Sequence, residues 1–340
     1  MKKILILTIL LLGGFANADD FDGYDDKYSD FSRHLSEELA KEFKLYKGPS
    51  VECDLCACYL GIDPGYNNSQ VGIRYSSFQY YTPGHPADPN LDHEGHGTEE
   101  SHESYDNVEL TLRYYTSPFV RIMLNVPYSL NDINGKKIKD FGDVSLIGQY
   151  QLYNTEIHED TEFRQRVFVG GGMKFPTGAF NKSIVFGEVD PHFQPGTGSF
   201  DFLLSGTYLA RYQGKLGWST DVIYTLNTVN KNDYRFANKF NVTSTFFYLI
   251  EAGKQTRMGG KEWNFLPHAG AYLESSGMDK QNGIDVNGTG GTTVFVTGGL
   301  DIYYNQFNVN FTYQHPVSEK MNGEQPENSR RFYIGAGYSF

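Results

Sequence analysis

From about Gln70 to Phe340 the chain alternates apolar and polar residues with a period of two. Successive side chains of a β-strand point to opposite faces, so each stretch of this kind has one apolar and one polar face. Phe307, Val309, Phe311 and Tyr313 alternate with Asn308, Asn310, Thr312 and Gln314. Val108, Leu110, Leu112 and Tyr114 likewise stand opposite Glu109, Thr111 and Arg113, and Trp218, Val222, Tyr224 and Leu226 opposite Ser219, Asp221 and Asn227. Twelve stretches carry the pattern: 70–82, 105–116, 119–130, 141–154, 163–177, 198–212, 214–228, 234–250, 262–275, 291–304, 306–316 and 329–340. Most exceed the roughly 9–11 residues that cross a bilayer when tilted, whereas strands of soluble proteins centre on about five or six.

Alternation alone fits a soluble sandwich as well as a barrel in lipid; the spacing of the stretches separates the two. Short turns at Thr116-Ser117-Pro118, Gln213-Gly214 and Asn305-Gln306 alternate with long polar loops at 83–104, 178–197, 276–290 and 317–328. With the amino-terminal side in the periplasm, parity places the short turns inside and the long loops outside, the asymmetry of outer-membrane barrels. The expectation is an all-β, transmembrane, antiparallel up-and-down barrel of about twelve strands. Fourteen is the alternative count, because 155–162 and 251–261 are long for inner turns. Aromatic residues make up 15% of the chain, which suits girdles at both membrane interfaces. Beyond the first residues no long apolar run exists, so helical membrane spans are excluded.

The amino terminus has its own signature. Lys2 and Lys3 precede an apolar run from Ile4 to Phe15 and the small-residue pattern Ala16-Asn17-Ala18. This is the order of a secretory signal cut after Ala18, and the run covers only about 18 Å as a helix, short of a bilayer. The domain reading is a signal peptide at 1–18, a periplasmic segment at 19–66 and the barrel at 67–340. Within the segment, Leu35, Leu39, Phe43 and Leu45 have near-helical spacing and predict a short amphipathic helix. Cys53, Cys56 and Cys58 follow. In an exported chain they read as one disulfide with a leftover thiol, or as a thiolate site for a soft metal such as copper or zinc.

The last strand, RRFYIGAGYSF, puts Phe332, Ile334, Ala336, Tyr338 and Phe340 on one face. An alternating strand ending on Phe340 looks like the carboxy-terminal signal of the bacterial barrel-insertion machinery. GDVSLIGQYQLY (142–153), GGGMKFPTGAFN (170–181), QPGTGSFDFLLSGTYL (194–209) and YRFANKFNVTSTFFYL (234–249) add a further likeness. Through these strings the chain resembles the family of outer-membrane transporters named "MetA pathway of phenol degradation", in its Bacteroidetes-type version. The PTG and PGTGS-D motifs are the most specific parts. The resemblance implies a twelve-stranded or similar barrel and a transport role; it specifies no solute and no catalytic residues.

Opposite the lipid face the alternation places Glu109, Arg113, Arg121, Asp143, Arg166, Lys174, Asp201, Arg211, Asp221, His268, Glu274 and Asp301. An Arg or Lys facing lipid at midplane costs about 2–4 kcal/mol, so these charges are expected to line the lumen. There they either tune selectivity as charge rings or neutralise one another across a closed lumen. Four of the nine histidines, His85, His93, His96 and His102, lie in one acidic outer loop. Imidazoles among carboxylates suit Zn, Cu, Ni or Fe, while the plain reading is a solvated surface loop. A formal net charge of −12 argues against nucleic acid as a partner.

The functional expectation is a channel or transporter for small solutes, working without enzyme chemistry or a required cofactor, with transition-metal capture at the histidine loop as its finer version. Its expected partners are outer-membrane lipid, the insertion machinery through Phe340, and a small solute or metal ion. Two alternatives stand beside it. One is a barrel enzyme, a hydrolase or protease, for which His192 after Asp190 and His315 are the rim histidines to consider. The other is a structural or adhesive barrel with a closed lumen.

Overall fold

The computed structural model describes residues 54–56, 61–63, 69–82, 101–133, 135–155, 162–183, 189–255, 261–323 and 325–340. Twelve long antiparallel strands form the wall: β1 (Gln70–Thr82), β2 (Ser101–Ser117), β3 (Val120–Ile133), β4 (Val144–Asn154), β5 (Phe163–Phe175) and β6 (Asp201–Tyr212). They continue as β7 (Leu216–Leu226), β8 (Lys239–Tyr248), β9 (Lys261–Ser276), β10 (Gly291–Tyr304), β11 (Phe307–Met321) and β12 (Glu327–Ser339). Each strand pairs with the next in sequence, and β12 pairs with β1, so the sheet closes into a barrel with no free edge. Two further strands extend it. Lys136–Phe141 pairs with the outer half of β3, and Ile250–Gln255 pairs with the inner end of β9.

Side-chain alternation sets the two faces. Ile73, Leu110, Phe202, Leu204, Phe246, Val309 and Phe311 are exposed on the outside, while Gln149, Thr207, Ser219, Asp221 and Thr245 are buried inside. Exposed Tyr114, Tyr150, Tyr212, Tyr248, Trp263, Tyr304 and Tyr338 cluster at the strand ends beside the short turns. Phe141, Phe200 and Phe240 mark the opposite ends. Two aromatic belts flanking an apolar band are the outer surface of a membrane-spanning barrel.

The short connections use left-handed backbone where a tight reversal needs it. Gln213 and Gly214 have φ of 50° and 68° between β6 and β7, and Asn305 has φ of 53° between β10 and β11. Asn and Gly adopt this conformation most readily, and such turns follow the twist of the strands they join.

Several boundaries differ from the sequence expectation. The stretch 234–250 is interrupted: β8 begins at Lys239, and Tyr234–Arg235 instead joins Lys280–Gln281 and Ile284–Asp285 in a small sheet above the rim. The predicted loop at 317–328 is mostly strand, because β11 runs to Met321 and β12 starts at Glu327. The inner connection after β8 is lengthened by the added strand Ile250–Gln255 rather than by two more wall strands.

The interior is also less polar than alternation predicts. Met123, Ile147, Leu203 and Ile223 meet inside the barrel, and so do Leu209, Phe247, Leu249, Leu266 and Tyr303 nearer the inner end. Inward residues of a narrow barrel touch one another across the lumen, so some of that surface is a packed core. The predicted signal peptide, the helix at 31–46, and Cys53 and Cys58 lie outside the described residues. Cys56 ends a short strand, Asp54–Cys56, that pairs with Gly61–Asp63 and runs beside β6 and β7.

Candidate functional site: an outer vestibule and its loop anchor

The interior holds a cavity of about 780 Å³ in its outer half, between the upper parts of β1–β3, β8–β9 and β11–β12 and under the loops. Its charged groups are paired by strand register. Arg74 of β1 and Glu109 of β2 are directly opposed partners, and Arg74 Nη2 lies 2.6 Å from Glu109 Oε2. Arg331 of β12 donates two 2.8 Å hydrogen bonds to Glu274 of β9, and others to Tyr80 Oη and Asn328 Oδ1. Arg331 also lies over the Phe295 and Phe78 rings, at 4.2 and 5.2 Å. A two-point guanidinium–carboxylate pair stacked on aromatic rings is fixed in orientation as well as in charge.

The connection from β5 to β6 folds inward and forms part of the cavity's roof. Its anchor is the pair of motifs that carried the family resemblance, Pro176-Thr177-Gly178 and Pro195-Gly196-Thr197-Gly198-Ser199 with Asp201. Asp143, at the start of β4, accepts hydrogen bonds from Gly178 N (3.0 Å), Thr197 N (2.8 Å) and Thr197 Oγ1 (2.7 Å). Asp201 accepts from Ser199 Oγ and Thr228 N, and Lys174 Nζ sits 2.8 Å from Asp201 and 3.8 Å from Asp143. Only glycine fits at 196: a Cβ there would lie 2.6 Å from Asp143 Oδ1 and 2.7 Å from the Gly178 Cα. The motif thus builds a carboxylate held by the N–H groups of Gly178 and Thr197, in a close approach that the missing side chains of Gly178 and Gly196 permit.

From this anchor the loop carries Phe193 into a fully buried position, edge-on to Tyr105, with its carbonyl accepting from Asn131 Nδ2 at 2.8 Å. The neighbouring His192 Nε2 lies 2.8 Å from Asp279 Oδ2 in the β9–β10 connection. Asp279 also accepts from Tyr234 Oη and Ala237 N. Burial pushes the Asp279 carboxyl upward, but the His192, Tyr234 and Ala237 donors outweigh it and hold the group below the ordinary carboxylate range. The same contact, after burial, raises the Tyr234 phenol. Three outer connections are thus tied together at one carboxylate.

The twelve residues assigned to the lumen lie on inward faces. Asp143, Lys174 and Asp201 come together in the loop anchor, and Glu109 and Glu274 hold the vestibule arginines. Arg113, Arg121, Arg166 and Arg211 are buried on β2, β3, β5 and β6, toward the inner end. Arg113 donates to Gln70, and Arg121 donates to Gln149 and lies 4.0 Å over the Phe168 ring. Asp221 accepts from Thr207, and His268 Nδ1 is 3.9 Å from Asp301.

Of the histidine loop, His85, His93 and His96 lie outside the described residues, and His102 is exposed near the outer end of β2, 5.2 Å from the Tyr81 ring. Of the rim histidines, His192 sits in the Asp279 tie and His315 is exposed on β11. No group of three or more His, Cys, Asp or Glu residues with metal-site geometry occurs among the described residues. Sequence reasoning missed Arg74, Arg331, Asp279 and the aromatic lining. Arg74 was legible, because it stands on the polar side of Gln70–Thr82, and so was Arg331, which stands opposite the face of Phe332, Ile334 and Tyr338 beyond the bulge between Asn328 and Arg330.

The fold has solved counterparts. The COG4313 outer membrane channel from Pseudomonas putida F1 superposes with a TM-score of 0.58 at 11% identity, covering 85% of this chain and 100% of that one. The β domain of the Bordetella autotransporter BrkA aligns with a TM-score of 0.42 at 12% identity, over 81% of this chain and 100% of its own. No curated protein matches the sequence. The closed barrel and its two aromatic belts make this an outer-membrane protein. The family model described as "Putative MetA-pathway of phenol degradation" matches residues 86–321, and the chain belongs to that family.

Proposed function

We propose that the barrel is a passive outer-membrane channel for small polar solutes, entered through the vestibule between the outer loops. The observation that carries this reading is the 780 Å³ cavity, whose buried charges are paired in place and whose roof is a loop anchored to the wall. A closed structural barrel has no need of a shaped, half-exposed polar cavity beneath its loops. Selection operates where paired arginines and carboxylates fix dipoles along the solute's path.

In the finer version of this proposal, His85, His93, His96 and His102 concentrate transition-metal ions at the mouth, supported by their crowding in one acidic segment. The test of the channel is single-channel conductance of the purified protein in planar bilayers, with an ion-selectivity series. Discrete conductance steps that change in Glu109→Gln or Glu274→Gln are expected. A correctly folded barrel that conducts neither ions nor small solutes would refute the channel.

A further inference from the structure

The vestibule wall mixes two chemistries. Tyr333 of β12, Phe78 and Tyr80 of β1 and Tyr105 of β2 form an aromatic arc on three neighbouring strands, Tyr272 stands apart on β9, and all five are half-buried. Beside them the lining is amide and hydroxyl: Ser129 and Asn131 of β3, the latter paired in register with Tyr105, Gln194 of the loop, and Asn241 of β8, the strand next to Tyr272. The cations among the aromatics are already balanced. Arg74 is closed by Glu109 and lies 5.5 Å over the Tyr333 ring, and Arg331 is closed by Glu274 beneath Phe78 and Tyr80.

Burying guanidiniums beside carboxylates removes their net charge while leaving the rings rigid, which spares the ordering cost of binding. What remains for a ligand is flat, electron-rich ring surface with neutral hydrogen-bonding groups beside it. Lys239, Glu103 and Asp190 also line the cavity, and Asp279 is engaged by His192.

Resting on the channel reading, we infer that the vestibule binds neutral, polyhydroxylated solutes of the oligosaccharide class. A sugar ring offers an apolar C–H face that stacks on an aromatic ring and a rim of hydroxyls that needs both donors and acceptors. The vestibule offers these two chemistries side by side on adjoining strands. An inorganic anion would find both arginines already closed by carboxylates, and an aromatic hydrocarbon would leave the amide groups unsatisfied. The volume falls within the roughly 300–1,000 Å³ usual for small-molecule sites.

The experiment is saturation-transfer NMR and calorimetry on the full-length protein in detergent. Maltotetraose and cellotetraose serve as probes, with tetraethylammonium and benzoate as charged comparisons. At least one sugar is expected to bind, with saturation strongest on its ring C–H protons. Tyr80→Ala and Tyr333→Ala should each weaken it about two- to tenfold, the range for one lost ring contact, while Tyr333→Phe retains binding. Heat-modifiable gel migration confirms that each variant is folded; for any that is not, the proton saturation pattern on the unaltered protein decides. Binding of neither sugar, tighter binding of tetraethylammonium or benzoate, uniform saturation of the sugar, or unchanged affinity after ring loss overturns the inference. Because binding is read without a membrane, sugar binding by a non-conducting barrel would refute the channel alone, and conductance without sugar binding would refute the site alone.

Discussion

Asp143→Ala isolates what the loop anchor contributes. The carboxylate is buried and receives three hydrogen bonds of 2.7–3.0 Å from Gly178 and Thr197, with Lys174 as a nearby counter-ion. Hydrogen bonds to a charged acceptor contribute about 1.5–3 kcal/mol each, and removing one partner of a buried charged cluster costs about 3–5 kcal/mol in all. The smaller total applies here, because Lys174 keeps its 2.8 Å contact with Asp201. The wall strands share none of these bonds, so the loss falls on the loop and not on the barrel. Three kcal/mol corresponds to roughly a hundredfold rise in the population of the loosened loop. Amide hydrogen exchange reads this at Ala179 and Gly196, whose N–H groups donate to Phe141 O and Ala179 O and do not touch Asp143. Both should exchange about a hundred times faster, while Thr207 and Thr245 in the wall stay unchanged. An acceleration below tenfold at Ala179 and Gly196, or equal acceleration in the wall, would show that the loop is held by something else.

Two further outcomes follow from other parts of the molecule. Phe340 is exposed at the end of the last strand, so its deletion should remove little packing yet lower the yield of assembled barrel if it is the insertion signal; a normal membrane yield at high expression counts against that role. The histidine loop should take up zinc, copper or nickel in calorimetry, with binding fading as pH falls through about 6.5, because imidazole ligates only when neutral. Changing His85, His93, His96 and His102 together to Ala should abolish uptake, and equal uptake before and after would discard the metal reading.

The sequence made the barrel legible because a strand in lipid must repeat one simple rule at every second residue. The stretch 70–82 coincides with β1 residue for residue, and charges such as Asp201 and Asp221 could be assigned inward from their neighbours alone. What alternation could not supply is which inward residues meet. Arg121 finds Phe168 two strands away, and Leu209 finds Leu266, because of the stagger between strands, a property no single strand encodes. The same blindness hid the apolar clusters: Met123 and Ile147 occupy inward positions where polarity is the local expectation. The tyrosines of the vestibule were masked by residue type and not by phase. Tyr80, Tyr105 and Tyr333 have the composition of an interface girdle, yet they alternate in step with Arg74, Glu109 and Arg331 on the inward faces. The PTG and PGTGS motifs were visible as strings, yet their purpose lay in one aspartate more than thirty residues before the first of them and fifty before the second.

The seam between β1 and β12 gives the molecule a property of rings. Phe340 N donates to Ser69 O at 2.8 Å, so the two ends of the wall lie side by side at the inner rim. Geometrically the wall is a loop of chain cut at one point, and the cut could be moved. A few residues joining Phe340 to Ser69 would close it at little entropic cost, and a new opening in an outer connection would leave all twelve ladders intact. Such a permuted chain would have the same native contacts but would begin and end on the far side of the membrane. Its last strand would end at the outer rim instead of the inner one. The position of the cut, which is neutral for the folded barrel, is thus a statement about the order in which the wall can be sewn shut.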